Sequence, residues 1–155
     1  IARRRAYGER LHAGLKGLPG LQPQGFVAGA LPSYWFYMCR VDQNVLGPRE
    51  EFCKALVAEG LNPTAALLER PCHLWDVFTK KQGFGGTAFP FCLAPHIEYK
   101  AGLCPHAEAI VKDNLVFPVN EFFTEEDARQ TVEGVRKVAR HFAGQKHAVR
   151  GRQLI

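Results

Sequence analysis

The run from Ser33 to Val41 (SYWFYMCRV) is the feature that most limits how this 155-residue chain can fold. It is rich in aromatic residues and apolar on both faces of an extended chain. Such a run predicts a central strand of a sheet, covered on both sides. A central strand needs neighbouring strands and covering helices, so these must come from the rest of the chain.

The helical patterns on either side of this strand supply that cover. Thr124 is a good N-cap, and Asp127 stands in the capping-box position of an amphipathic helix that we expect to end near Gly144. A first helix is predicted over residues 2–17, with an apolar stripe formed by Tyr7, Leu11, Leu15 and Leu18. The remaining predictions are a helix after Pro48 that ends at Gly60, a short helix over 105–112, and a second strand over 115–119.

The helical and strand patterns break up between the helix that ends at Gly60 and the short helix over 105–112. Residues 61–103 contain scattered prolines and a GFGG run at Gly83–Gly86, which predict a long, irregular segment. A segment of this kind in a compact domain is usually functional or flexible. The order of elements predicts an α+β fold, in which helices cover a small, mainly antiparallel sheet.

The charge of the chain is concentrated at its two ends. The formal net charge is +5, but six basic residues lie in the Arg3–Arg5 run and among Lys146, Arg150 and Arg152. Without them, 14 basic residues face 15 acidic ones, so the body is neutral. A nucleic-acid domain needs a basic face on its folded body, and we therefore expect no nucleic-acid partner. No apolar run approaches the roughly 20 residues of a membrane-spanning helix, so no membrane partner is expected either.

The cysteines predict buried thiols in a reducing compartment, and the cytoplasm is the expected location. There are five of them, with no CxxC pair, and several lie in apolar runs. One alternative is a zinc site formed by Cys92, His96, Cys104 and His106, with Cys72–His73 upstream. The spacing C-x3-H-x7-C-x-H differs from the paired knuckles of structural zinc sites, and we expect no metal.

Common catalytic motifs are absent from the sequence. Ser33 is the only serine, which excludes a GxSxG nucleophile, and no phosphate-binding loop occurs. The lysines fall mostly on polar helix faces or in loops, whereas lysine chemistry needs a desolvated amine. The residues by themselves predict an accessory domain. The alternative is a stand-alone binding or structural domain, either one that contacts nucleic acid through its basic tail or one stapled by zinc.

Several stretches together resemble one enzyme family. The stretches YKAGLCPHAEAI and LVFPVNEFFTEEDARQTVEGVRKV lie between Tyr99 and Val138 and resemble the C-terminus of the DegT/StrS-type aminotransferases. The segments SYWFYMCRVD and REEFCKALVAEGL are similar to the strand and helix that open the small domain of that family. The resemblance covers essentially residues 1–143 and implies the small domain of a fold-type-I, pyridoxal-phosphate-dependent enzyme.

The resemblance implies how the chain would take part in catalysis. The family transfers an amino group from an amino-acid donor to keto sugars that are largely nucleotide-linked, as in polysaccharide biosynthesis. Its large domain holds the cofactor and the catalytic lysine, so we expect no catalytic or cofactor-binding residue here and an inactive fragment. By analogy, His73 and Trp75 in RPCHLWDVF are the substrate-binding candidates, one as a polar contact and the other as a stacking surface. The alternative is that His73 is a partly buried loop histidine with no role in binding.

The same resemblance predicts the domain organisation. Residues 1–20 would form a linker helix from a missing large domain, residues 21–144 the small domain, and residues 145–155 a basic tail. The chain begins at Ile1 and its only methionine is Met38, so we expect a piece of a longer protein. Without the large domain, the stripe on the first helix should be exposed and should favour a homodimer.

Overall fold

The computed structural model describes the backbone of residues 1–152 and the side chains of residues 1–144. It is an α+β fold with a small antiparallel sheet, as the sequence predicted. Its elements are α1 (Ala2–Leu15), β1 (Leu21–Pro23), β2 (Phe36–Val41), α2 (Gln43–Leu46), α3 (Arg49–Ala58), α4 (Asp76–Thr79), α5 (Pro105–Asp113), β3 (Asn114–Pro118) and α6 (Glu125–Arg152).

The aromatic strand β2 lies in the centre of a three-stranded sheet, in the order β1-β2-β3. It pairs with both neighbours in antiparallel fashion, and Cys39 is opposite Leu115 of β3. The central position confirms the sequence prediction. Strand β1 and helix α2 were not predicted, because three or four residues carry too little periodicity to be recognised.

The two faces of β2 are covered unequally, whereas the sequence predicted cover on both. Tyr37, Cys39 and Val41 are buried, but Met38 on the other face is only half-buried and Arg40 is exposed. An aromatic or long apolar side chain is compatible with a half-covered face, so composition alone overstated the burial. Burial raises the pKa of the Cys39 thiol to about 12 and keeps it protonated near neutral pH.

The stripe on α1 is buried, contrary to the expectation that it would be exposed. Tyr7 is 5% exposed and Leu11 and Leu15 are fully buried, while Leu18 is partly buried against the same core. Helix α6 and the sheet cover them, so a missing domain is not needed for this purpose. Tyr7 also places its hydroxyl 3.1 Å from Thr131 Oγ1 of α6. The dimer stays a prediction, but this stripe does not supply its interface.

Helix α6 begins with the predicted capping box. The backbone N–H of Asp127 donates to Thr124 Oγ1 at 3.2 Å, and Thr124 N donates to Asp127 Oδ2 at 2.7 Å. The helix continues to Arg152, past the end predicted near Gly144, since a single glycine does not stop a helix. The side chains of the predicted basic tail lie outside the described residues. Within the described part of the chain, no helix is both long and apolar enough to cross a membrane.

The chain divides into two compact units. The first comprises Ile1–Leu67 and Asp113–Ile155 and contains the sheet, the core and the helix predicted as a linker. The second comprises Leu68–Lys112 and includes most of the predicted irregular segment. It contains α4, three short 3-10 turns and all of α5 except its last residue. All residues of the second unit are described, and among them Pro71 alone is buried.

The burial of the cysteines differs between the two units, and the prediction of buried thiols holds for only two of the five. Cys39 and Cys53 are buried in the first unit. Cys72, Cys92 and Cys104 are exposed in the second unit, which has almost no core to bury them. An apolar sequence neighbourhood indicates burial only where the fold provides a core.

We predict that Gly14 is needed for the packing of α1 on α6. A Cβ at this position would lie 2.5 Å from Val132 Cγ2. Gly14→Ala should therefore lower the free energy of unfolding by about 1 kcal/mol, because overpacking of ~1–3 kcal/mol outweighs a helix-propensity gain of ~1 kcal/mol. Urea unfolding measures the change.

The matched control is Gly144→Ala in α6, where a Cβ would meet nothing within 4 Å. This variant should gain up to about 1 kcal/mol from helix propensity alone. Adding Val132→Ala to Gly14→Ala should recover part of the loss. Equal stabilisation by Gly14→Ala and Gly144→Ala would contradict the packing argument.

Candidate functional site

The sequence-predicted site residues lie in the second unit, next to its short helices. His73 belongs to a 3-10 turn over Cys72–Leu74, and Trp75 precedes α4. The turn is closed by a backbone bond from Trp75 N to Cys72 O at 3.0 Å. Pro71 starts the turn, which places the predicted histidine and tryptophan two residues apart on a locally hydrogen-bonded stretch.

His73 is held by a carboxylate that the sequence prediction did not single out. Its Nε2 lies 3.0 Å from Glu108 Oε1, and the His73 side chain is 10% exposed. Within the described residues, no partner is found for the other ring nitrogen, Nδ1. The structure therefore adds the residue that holds the histidine, and the role of His73 in substrate binding stays a prediction.

Glu108 lies at the start of α5 and gathers several donors. Its Oε1 accepts from Gly102 N at 2.9 Å and from Cys104 N at 3.3 Å, in addition to the His73 ring. Burial acts to raise the pKa of Glu108, but the two backbone N–H groups and the His73 ring outweigh it, and the net pKa is lowered. A negative charge here is also favoured by the N-terminal end of the helix.

A sequence signal for Glu108 was present in the motif CPHAEAI. The glutamate comes shortly after the proline that opens α5, where a carboxylate can reach back to free backbone N–H groups. That signal predicts a capping role. It does not predict the contact with His73, which is 35 residues away in the sequence.

Trp75 exposes part of its ring to solvent, whereas its indole nitrogen is hydrogen-bonded to the backbone. The residue is 41% exposed, and its Nε1–H donates to Arg70 O at 3.1 Å. The indole is thus anchored at its nitrogen, and a part of its ring surface remains in solvent. An exposed and anchored ring is suited to stacking on a sugar or a planar ligand.

Charged groups close to this turn are paired on the surface. Asp76 accepts a hydrogen bond from Lys80 Nζ at 2.7 Å and lies 3.6 Å from an Arg70 nitrogen. The hydrogen bond from Lys80 and the charges of Lys80 and Arg70 lower the pKa of Asp76. These exposed pairs orient the local surface and contribute little stability.

The residues of the zinc alternative are not brought together. Cys92, His96, Cys104 and His106 are all exposed, and in the described part of the chain no group of three or more histidine, cysteine, aspartate or glutamate side chains could hold a metal ion. The spacing of these residues in the sequence therefore does not become a ligand set in the fold.

The described lysines do not fit a site that links pyridoxal phosphate. Such a lysine needs a desolvated amine. Among the described residues, Lys81 is half-buried, and its Nζ donates to Pro95 O at 2.8 Å. The other described lysines are exposed, namely Lys16, Lys54, Lys80, Lys100, Lys112 and Lys137. The exposed amines therefore lack the desolvation that a lysine linked to this cofactor requires.

Comparison of the sequence with family models and with curated proteins finds no match. The fold, in contrast, matches solved structures. DesV from S. venezuelae, solved with a ketimine intermediate, is 22% identical with a TM-score of 0.67 and aligns over 89% of this chain and 31% of its own. The fold is that of one part of a DegT/StrS-type sugar aminotransferase.

Two further structures support this assignment of the fold. The aminotransferase TlmJ from Streptoalloteichus hindustanus is 25% identical with a TM-score of 0.62, over 89% of this chain and 31% of its own. A DegT DnrJ EryC1 StrS aminotransferase from Brucella abortus is 18% identical with a TM-score of 0.64, over 88% and 30%. The chain spans about a third of the length of these structures, which is consistent with the predicted C-terminal fragment.

We predict that the Glu108 carboxylate contributes stability that is lost in acid. Because its folded pKa lies below the ordinary value of 4.5, the contribution is complete above that pH and disappears as the pH falls through the lowered pKa. In Glu108→Gln, the difference from the wild type should be constant above about pH 5.5 and shrink below about pH 4.5. Urea unfolding across this range measures it.

The control is Glu121→Gln, which removes an exposed carboxylate from the loop before α6. Because this side chain is exposed, the variant should unfold at nearly the same urea concentration as the wild type. The idea fails if the loss in Glu108→Gln is the same at pH 3 and pH 7.

Proposed function

We propose that this chain acts as the small domain of a pyridoxal-phosphate-dependent aminotransferase. The reaction would transfer an amino group from an amino-acid donor to the keto group of a nucleotide-linked sugar. The observation that carries this proposal is the shared fold, which extends over 88–94% of the chain and 30–33% of sugar aminotransferase structures. The order of the motifs from Tyr99 to Val138 supports the same family independently of the backbone.

The cofactor would be held by a part of the protein outside this chain, together with the lysine that binds it. Pyridoxal phosphate supplies an electron sink for the transfer, and the protein positions the reacting groups. The surface lysines of the described residues support this division of labour. The chain alone would then be inactive, and the working enzyme would be a homodimer in the cytoplasm.

The second unit would contribute His73 and Trp75 to the sugar-binding surface. The exposed part of the Trp75 ring offers a stacking face, and its anchored Nε1–H keeps the ring in one orientation. The ring of His73, held on Glu108, would present its remaining nitrogen to the ligand. Neither residue needs to exchange a proton with the reacting carbon in this arrangement, and both act by binding and orientation.

The experiment is a comparison of two proteins. A longer gene product that includes this chain should bind pyridoxal phosphate and transfer nitrogen from glutamate to a nucleotide-linked keto sugar, while the 155-residue chain should do neither. In the longer protein, His73→Ala should raise the KM for the sugar about tenfold, the loss of one hydrogen bond to a ligand in a partly desolvated site.

The matched control is His96→Ala, which removes an exposed histidine from the same unit. It should leave KM and kcat unchanged, and in neither variant should the half-reaction with the amino donor change. A longer protein that binds no pyridoxal phosphate would contradict the enzyme proposal. An unchanged sugar KM in His73→Ala would contradict only the assignment of that residue.

A further inference from the structure

The contact between His73 and Glu108 fixes which ring nitrogen carries a proton. Nε2 lies 3.0 Å from a carboxylate oxygen, and an ionised carboxylate can only accept. The two backbone N–H groups on the same carboxylate favour its ionised form. The Nε2 atom of His73 must therefore be the donor, and a neutral ring then has an unprotonated Nδ1.

We propose that Glu108 is a positioning residue that holds the His73 ring by Nε2–H and so leaves Nδ1 as the acceptor for a hydroxyl group of the ligand. The identity of the ligand rests on the proposed function, in which it is a keto sugar. The positioning itself is a property of this chain and does not depend on any activity.

Two features of the geometry support a role beyond capping of α5. Capping is satisfied by the bonds from Gly102 N and Cys104 N, and Oε2 accepts from Gly102 N as well, at 3.1 Å. The His73 contact is an additional bond across 35 residues of sequence. Because the His73 side chain is only 10% exposed, water competes weakly for this bond.

The arrangement selects the chemical class of the ligand group. A neutral Nδ1 has a lone pair and no proton, so it binds an O–H or N–H donor and offers nothing to an acceptor. Sugars carry many O–H donors beside faces of C–H groups that can lie on an aromatic ring. His73 and the half-exposed Trp75, two residues apart, match this combination.

The test uses the 155-residue chain labelled with 15N-histidine. Long-range proton–nitrogen spectra at pH 7.5 should show the His73 ring protonated at Nε2, with a slowly exchanging proton. Glu108→Gln keeps an oxygen that can accept from Gly102 N and Cys104 N but removes the charge, so exchange of the ring proton should become about tenfold faster. In Glu108→Ala the ring proton should exchange too fast to be observed.

The matched control is Glu98→Gln, which removes a carboxylate that pairs with Lys100 in the same unit. The His73 ring signals should not change in this variant. A purely structural role for Glu108 would shift the Gly102 and Cys104 amide signals in the variants and leave the His73 ring unchanged, and that result would overturn the proposal. A wild-type ring protonated at Nδ1 would overturn it as well.

The test does not depend on the folding of Glu108→Ala. If that variant does not fold, the ring spectra of the wild type and of Glu108→Gln still show whether Glu108 holds the His73 ring. In the longer protein, Glu108→Gln should raise the sugar KM about threefold to tenfold and leave kcat for the donor half-reaction unchanged. Failure of transfer in the longer protein would remove the proposed function, while the ring spectra would still report on the pairing.

Discussion

The close approach of α1 and α6 is the contact on which the rest of this fold depends. Gly14 allows the two helices to meet at Val132, where any larger residue would collide. Arg136 of α6 donates from Nε to Gly14 O at 3.0 Å, which joins the helices at the same point. This approach buries the apolar stripe of α1 and gives the sheet a cover. The chain thereby has a core of its own.

The second unit is built by a different principle, and it carries the candidate site. It has almost no buried side chains, and its order comes from short turns, an aromatic group formed by Phe78, Phe91 and Tyr99, and the bonds gathered by Glu108. Binding elements are often drawn from such regions of low local stability. An apolar core therefore stabilises the first unit, whereas turns, ring contacts and polar bonds order the second unit, which contains the candidate site.

The sequence predicted most of the architecture, because its strong signals were periodic. The capping box at Thr124 and the aromatic run ending at Val41 gave α6 and the central strand. Burial was predicted less well, since the sequence contains no information on which partner covers the stripe at Leu11. Glu108 was missed as a partner of His73 because the contact joins a 3-10 turn and a helix that are distant in sequence. The long irregular segment offered no periodicity from which such a contact could be inferred.

Native-state hydrogen exchange of the 155-residue chain tests the central claim most directly, which is that a core shared by α1, α6 and β2 holds the fold together. Amides of α1, β2 and the part of α6 before Gly144 should open only with global unfolding, so that they share one high exchange free energy. Amides of the second unit should exchange through smaller openings of much lower free energy. Exchange of the α1 amides as fast as in a free peptide, while α6 and the sheet stay protected, would contradict the claim of a shared core.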